Sequence, residues 1–75
     1  MPRKAEPERK LGTAIRGRRH ALGISQEEAA DLSGLDRSYY GSVERGERNI
    51  SIRNIVAIAK ALKVTAAALL SAAEL

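Results

Sequence analysis

The sequence predicts an all-α protein, a compact bundle of five short helices in a single domain. Four segments with helical apolar spacing each follow a residue of the kind that caps helix starts, namely Ser25, Asp36, Ser51 or Thr65. Hydrophobic residues make up 44% of the chain but aromatic residues only 3%, so we expect an aliphatic, alanine-rich core. A length of 75 residues allows one small core and not two.

Composition and charge narrow the function. The 13 Lys and Arg residues exceed the 9 Asp and Glu residues, and the formal net charge of +4 favours an anionic partner such as nucleic acid. The chain has no cysteine, which excludes disulfides, and its one histidine, His20, is too few for a transition-metal site. No nucleophile is paired with a base, and no phosphate loop or small-molecule pocket is evident. We therefore expect neither an enzyme nor a cofactor.

The N-terminus is expected to be an arm and not a targeting signal. The first eight residues, MPRKAEPE, contain two prolines and alternating charges, so 1–8 are predicted to form a flexible basic arm ahead of a folded domain at 9–75. Arg3 and Lys4 either reach DNA or remain solvated. No apolar run approaches the roughly 18 residues of a membrane span, and no signal peptide is visible, so we expect a cytoplasmic protein.

A basic helix is predicted from about Glu8 to Leu22. Leu11 and Ile15 recur on its apolar face at helical spacing. Its other faces carry positive charge, contributed by Arg9, Lys10, Arg16, Arg18 and Arg19.

Two short helices joined by a tight turn are predicted in the middle of the chain. Ser25 caps the first, and Glu28 three residues on completes a capping box. Gly34 ends that helix, Asp36 caps the next, and the second helix covers 37–45. This is the arrangement of a helix-turn-helix, whose second helix lies in the major groove of DNA.

The residues of this segment resemble a known family. The motif residues match without gaps and are Ser25-Gln26-Glu27-Glu28, Ala30, Gly34, Arg37-Ser38-Tyr39, Val43-Glu44-Arg45-Gly46 and Arg48-Asn49. They are similar to the phage-repressor type of helix-turn-helix domain, the xenobiotic-response-element group. The run LDRSYYGSVERGERNIS is especially similar to controller proteins of restriction and modification systems. The resemblance implies a lambda-repressor-like fold and a sequence-specific, DNA-binding transcriptional regulator.

Two further helices are predicted after this segment. Ser51 caps the fourth, and its apolar stripe, expected in the core, is Ile52, Ile55, Val56, Ala59 and Leu62, with Ile58 adding width. Thr65 caps a short alanine-rich helix over 66–72, which carries Leu69 and Leu70.

Contacts with DNA bases are expected from the start of the 37–45 helix, because its first residues lie nearest the base edges. Arg37 can donate two parallel hydrogen bonds to guanine, and Ser38 can pair with either base type. Ser42, one turn beyond Ser38, is predicted on the same outer face, and Tyr39 is predicted to point outward because Tyr40 faces inward. The resemblance also assigns Arg37, Ser38, Tyr39 and Ser42 to DNA-facing positions. The alternative is that Arg37 is only solvated and the serines are fillers.

Contacts with DNA phosphates are expected on both sides of the recognition helix. The predicted residues are Arg16, Gln26, Arg45, Arg48 and Asn49. The resemblance implies that an arginine at the position of Arg48 touches DNA in controller-like relatives. It also implies a structural ion pair between Arg19 and Glu44, which ties the first helix to the recognition helix.

A homodimer on double-stranded DNA is expected, because one recognition helix spans only about half a turn of groove and two half-sites lie roughly 34 Å apart. Leu69 and Leu70 are predicted at the dimer interface, unless they only close the core. The acidic residues Glu27, Glu28 and Asp31 are a candidate contact for RNA polymerase, although capping alone explains acids at a helix start. The alternative function is a helix-turn-helix protein-interaction module, antitoxin-like or co-activator-like.

Overall fold

Five α-helices and the turns between them form the computed structural model, which describes residues 6–75. The helices are α1 (Glu6–Leu22), α2 (Gln26–Ser33), α3 (Arg37–Glu44), α4 (Ile52–Ala61) and α5 (Ala66–Ala72). No strand occurs within residues 6–75. The predicted all-α, five-helix fold is confirmed.

The first helix begins earlier than the sequence pattern predicts. Helix α1 starts at Glu6, so residues 6–8 are helical and do not belong to a flexible arm. Pro7 is compatible with this start because the first turn of a helix needs no backbone donor there. The predicted roles of Arg3 and Lys4 fall outside the described residues.

Capping side chains start the other four helices as predicted. Ser25, Asp36, Ser51 and Thr65 each accept a hydrogen bond from the backbone N–H three residues on. Glu28 returns a hydrogen bond to the backbone of Ser25 and closes the capping box. These contacts are local in the sequence, which is why the pattern alone locates the helix starts.

Left-handed residues end both α2 and α4. Gly34 ends α2 with a φ of 72°, a conformation that glycine adopts without steric cost. Lys63 ends α4 in the same region, with a φ of 62°. There the N–H of Val64 donates to the carbonyl of Ala59, and the N–H of Lys63 donates to that of Lys60, which is a Schellman motif.

The core joins residues from all five helices. Its fully buried members include Ile15, Tyr40, Ile58 and Leu62, and Leu69 of α5 is only 2% exposed. Helix α3 packs against α1 and α2, while α4 packs against α2 and α5. One side of α3 is therefore covered by the bundle, and its first turn remains at the surface.

Two apolar residues predicted in the core lie at the surface instead, and Leu32 of α2 is exposed as well. Leu32 is 61% exposed, Ile52 is 72% exposed and Val56 is 44% exposed. On α4 the stripe that reaches the core centres on Ile58 and Leu62, and Ile52 and Val56 lie about 100° and about 140° round the helix from it. The predicted stripe was therefore too wide.

No single helix within residues 6–75 has both the length and the apolar character needed to cross a membrane. The paired helices α4 and α5 reach that apolar length only together, across a bend of 92°.

Candidate nucleic-acid interface

The start of α3 presents two unengaged polar side chains. Asp36 accepts from the N–H of Tyr39 at 3.1 Å and so fixes the first turn of the helix. Arg37 and Ser38 follow it, both are exposed, and neither side chain has a hydrogen-bond partner in the described part of the chain. Both can therefore meet a ligand without breaking an intramolecular contact.

The C-terminal end of α3 is fixed by a buried carboxylate. The Glu44 side chain is fully buried and accepts from Arg19 Nε at 2.6 Å and from Arg19 Nη2 at 3.1 Å. Gln26 Nε2 donates to the same carboxylate at 3.0 Å. Arg19 also donates to the carbonyl of Ile24 at 3.0 Å, so this hub links α1, α2 and α3. The Arg19–Glu44 ion pair is thus present, as the family resemblance implies.

The hub keeps Glu44 ionised. Burial by itself would raise the pKa of Glu44, but the hydrogen bonds from Arg19 and then Gln26, with the positive charge of Arg19, lower that pKa to about 2. The same hydrogen bonds with Glu44 raise the pKa of Arg19 above its ordinary value. Burial also raises the pKa of Tyr40, which stays neutral beside the pair.

Two of the predicted phosphate-contacting residues also serve this hub. Gln26 is half-buried, and its amide nitrogen is occupied by Glu44. Arg16 Nε lies 3.4 Å from Glu44 Oε1, and its side chain is 47% exposed. The terminal guanidinium nitrogens of Arg16 remain available, and the Gln26 amide nitrogen donates one of its two protons to Glu44.

The segment after α3 carries the other predicted phosphate contacts. Arg45 pairs with Glu47 at 3.1 Å, with both side chains more than half exposed. Such a solvent-exposed pair contributes only about 0–1 kcal/mol, so a phosphate can displace Glu47. Arg48 and Asn49 are exposed next to it.

The expected position of Ser42 is corrected by the structure. Ser42 is 4% exposed and does not share the outer face with Ser38. Its hydroxyl donates to the carbonyl of Tyr39 at 2.6 Å and accepts from Arg48 Nε at 3.0 Å. The segment after α3 folds back over this serine, and the N–H of Glu47 donates to the Ser42 carbonyl at 2.9 Å. A base contact by Ser42 is therefore excluded in this conformation.

Tyr39 lies beside this fold-back and is half-buried. Asn54 Nδ2 in the first turn of α4 donates to the Tyr39 hydroxyl at 3.1 Å. The guanidinium carbon of Arg48 lies 5.7 Å from the centroid of the Tyr39 ring, within the range of a cation–π contact. Sequence reasoning missed Asn54, because nothing in the local pattern links it to a tyrosine 15 positions earlier.

Comparison with known proteins places this geometry in a family. A helix-turn-helix family model matches residues 15–69. Control protein C.SmaI of Serratia marcescens is 43% identical over 61 residues, which are 81% of this chain and 73% of that protein. The crystal structure of the restriction-modification controller protein C.AhdI from Aeromonas hydrophila superimposes with a TM-score of 0.81 and 52% identity, covering 83% of this chain and 94% of that one.

The chain belongs to the helix-turn-helix family of restriction-modification controller proteins. A second controller structure, C.Esp1396I, is 31% identical with a TM-score of 0.83 over 91% of this chain and 87% of that chain. The protein is accordingly a DNA-binding transcription regulator of the controller type and not an enzyme. In this controller protein α2 and α3 are the two helices of the motif, with Gly34 in the turn between them.

Proposed function

We propose that this controller protein binds a two-fold DNA operator as a homodimer and regulates transcription, with α3 in the major groove of each half-site. The observation that carries the proposal is the state of Arg37 and Ser38, exposed and without partners at the start of a helix whose other end is held by Glu44. A fixed helix with free donors at its N-terminal end suits direct readout of base edges.

Base contact is assigned to Arg37 and Ser38, with Tyr39 at the edge of the groove. Phosphate contact is assigned to Arg16, Arg45, Arg48 and Asn49, all of which are exposed. Gln26 acts in this proposal through the backbone N–H groups at the start of α2, because its side-chain amide donates to Glu44. Ser42 is left out of the base-contacting set because it is buried.

The size of the chain supports a dimer. The described residues extend 33 Å along their longest axis and carry one recognition helix. Two half-sites roughly 34 Å apart therefore need two copies. The proposed interface is the exposed apolar pair Ile52 and Val56 on α4, which follows the recognition helix in the chain.

This interface replaces the predicted one at the end of the chain. Leu69 is 2% exposed and lies in the core of one subunit, whereas Leu70 packs only partly against that core and keeps some exposed surface. Ile52 and Val56 do not pack into the core of the subunit and are exposed to water. Burial of these two side chains against a second subunit would be favourable through the hydrophobic effect.

Transcriptional activation would need a contact with RNA polymerase, and α2 offers the acidic surface for it. Glu27 and Asp31 are exposed one turn apart on this helix. Glu28 is exposed as well, but its carboxylate closes the capping box with Ser25. The polymerase contact is therefore assigned to Glu27 and Asp31 within the same proposal.

Selection from a random duplex library at near-physiological salt tests the proposal, followed by titration of the recovered duplex at several salt concentrations. We expect a two-fold site with half-sites about one helical turn apart. If a dimer neutralises about eight phosphates, the log–log salt dependence of the association constant has a slope of about −7. A duplex of scrambled sequence and equal composition is the control.

Recovery of no enriched sequence, together with a stable complex with another protein, would favour a protein-interaction module instead. Enrichment of a single half-site without two-fold symmetry would retain the DNA-binding proposal and remove the dimer from it.

A further inference from the structure

Four side chains join α3, the segment after it and α4 into one connected cluster, the Tyr39 cluster. Its members are Tyr39, Ser42, Arg48 and Asn54, linked by the two hydrogen bonds of Ser42, the Asn54–Tyr39 hydrogen bond and the stacking of Arg48 on the tyrosine ring. Two of them, Tyr39 and Arg48, are assigned to DNA in the proposed function. The other two have not been given a role.

Ser42 holds Arg48 through one of the donors of the guanidinium. Ser42 has one hydroxyl proton, which goes to the Tyr39 carbonyl, so its oxygen is free to accept from Arg48 Nε. Arg48 uses only its Nε proton in this bond. Within residues 6–75 its two terminal nitrogens have no hydrogen-bond partner, and arginine presents four donors there. The serine therefore fixes the guanidinium and leaves its forked end free.

Tyr39 also keeps a donor free while its hydroxyl oxygen accepts a hydrogen bond from Asn54. The amide of Asn54 donates to the Tyr39 hydroxyl oxygen, which leaves the phenolic proton available to an acceptor. Asn54 is itself held, because its backbone N–H donates to the capping side chain of Ser51 at 3.1 Å. The first turn of α4 thus fixes the tip of a side chain that begins on α3.

The geometry points to Ser42 and Asn54 as positioning residues for DNA binding, which hold the guanidinium of Arg48 and the hydroxyl of Tyr39 with their free donors directed away from the protein. This inference rests on the proposed function and adds two residues that touch no DNA. Neither residue is given a DNA contact of its own, because Ser42 is buried and Asn54 is half-buried.

The physical effect is preorganisation. A free arginine side chain on a loop loses rotamer entropy when it binds a phosphate, whereas one already held by a serine and a tyrosine ring loses less. The four residues also fix the segment between α3 and α4. The DNA-contacting groups on α3 and on this segment therefore keep a fixed position relative to each other. Removing either positioning residue therefore weakens binding without removing any DNA contact.

Double-mutant cycles test this inference on the duplex recovered by selection, with affinity measured by fluorescence anisotropy. We expect Ser42→Ala to weaken binding about tenfold, a typical pairwise coupling, and to have no further effect in an Arg48→Ala background. Asn54→Ala is expected to weaken binding similarly and to have no further effect in a Tyr39→Phe background. Losses that multiply in the double variants, or single variants that bind like the wild type, would overturn the inference.

Ser33 provides a matched control for Ser42. Its hydroxyl also donates to backbone carbonyls of its own helix, those of Ala29 and Ala30, but it holds no arginine. Ser33→Ala is expected to leave DNA affinity unchanged, whereas an equal loss in both serine variants would count against positioning. Thermal unfolding of every variant separates a weakened fold from a weakened interface.

A second measurement needs no DNA. In ¹⁵N-labelled wild-type protein the Arg48 Nε–H is expected to give a resolved, slowly exchanging signal, and Ser42→Ala is expected to abolish that protection. A fast-exchanging Arg48 signal in the wild type would overturn the inference even if the duplex is bound. If the wild-type protein selects no duplex but the signal is protected, the proposed function fails, and the cluster is a structural one.

Discussion

Gly12 of α1 lies directly against the backbone of Glu44, where a Cβ added to the glycine would stand 2.5 Å from the Glu44 carbonyl oxygen. The same Cβ would be 2.6 Å from the carbonyl oxygen of Val43, so two main-chain atoms exclude it. This approach of α1 to the end of α3 is what brings Arg19 within reach of the Glu44 carboxylate. A glycine in the middle of α1, with its cost in helix propensity, is thereby explained.

Gly12→Ala is expected to destabilise the fold by about 1–3 kcal/mol, because backbone cannot yield as a flexible side chain can. Gly17 of the same helix is the matched control, since a Cβ there would meet nothing within 4 Å. Gly17→Ala is expected to stabilise the protein by about 0.5–1 kcal/mol through helix propensity. Chemical denaturation measures the unfolding free energy of both variants. Changes of the same sign in Gly12→Ala and Gly17→Ala would contradict the role given to Gly12.

The acid stability of the protein is expected to depend on Glu44. Its folded-state pKa of about 2 lies below the ordinary value of 4.5, so its stabilising effect is present above pH 4.5 and is lost as the pH falls towards 2. Glu44→Gln leaves Arg19 buried without its charged partner and is expected to cost about 3–5 kcal/mol at neutral pH. The variant should also lack the fall in stability that protonation of Glu44 causes in the wild type below pH 4.5.

Glu47→Gln is the control for Glu44→Gln. Glu47 has an exposed side chain paired with Arg45, and its replacement is expected to change stability by no more than about 0.5 kcal/mol. Urea unfolding between pH 2 and neutral pH measures both variants. A wild-type curve that stays flat below pH 4.5 would contradict the ionised, hydrogen-bonded state of Glu44.

Lys63→Gly is expected to stabilise the protein. Lys63 has a φ of 62°. This left-handed conformation costs a residue with a side chain about 1–2 kcal/mol. Glycine avoids that cost but loses more backbone entropy on folding. We expect a net gain of about 0.5–1 kcal/mol in unfolding free energy. Lys60→Gly, which removes the same charge from the last turn of α4, should instead lose about 1 kcal/mol.

The local features of the fold were readable from the sequence, because a cap such as Ser25 and a stop such as Gly34 act on residues three or four positions away. The Arg19–Glu44 pair was expected only from family resemblance, since 25 positions separate the two residues. Ser42 was misplaced because helical periodicity contains no information about the segment that folds back over it. Ile52 was placed in the core but is exposed, and for Leu69 the sequence left core and interface open, since the apolar character of a side chain does not say which surface covers it.

Dimer formation is expected to depend on Ile52 and Val56. Ile52→Asp or Val56→Asp places a charge in the proposed interface and should raise the dimer dissociation constant at least about tenfold, as measured by sedimentation velocity. Leu75→Asp is the matched control, because Leu75 is an exposed apolar residue that lies beside Pro7 and Lys10 of α1 and not on α4, and it should leave the association unchanged. Equal loss in all three variants would remove α4 as the interface.

Sequence recognition is expected to depend on Arg37 in a way that differs from Arg48. Arg37 is exposed without a partner at the start of α3, so Arg37→Ala should cost about 1–3 kcal/mol of binding free energy and relax the preference at one base pair of each half-site. Arg48→Ala, acting on phosphate, should weaken binding to all sequences similarly and make the salt slope less negative by about 1 per subunit. Library selection with each variant separates the two roles. An unchanged selected sequence with Arg37→Ala would mean that Arg37 reads no base, and would move specificity to Ser38 and Tyr39.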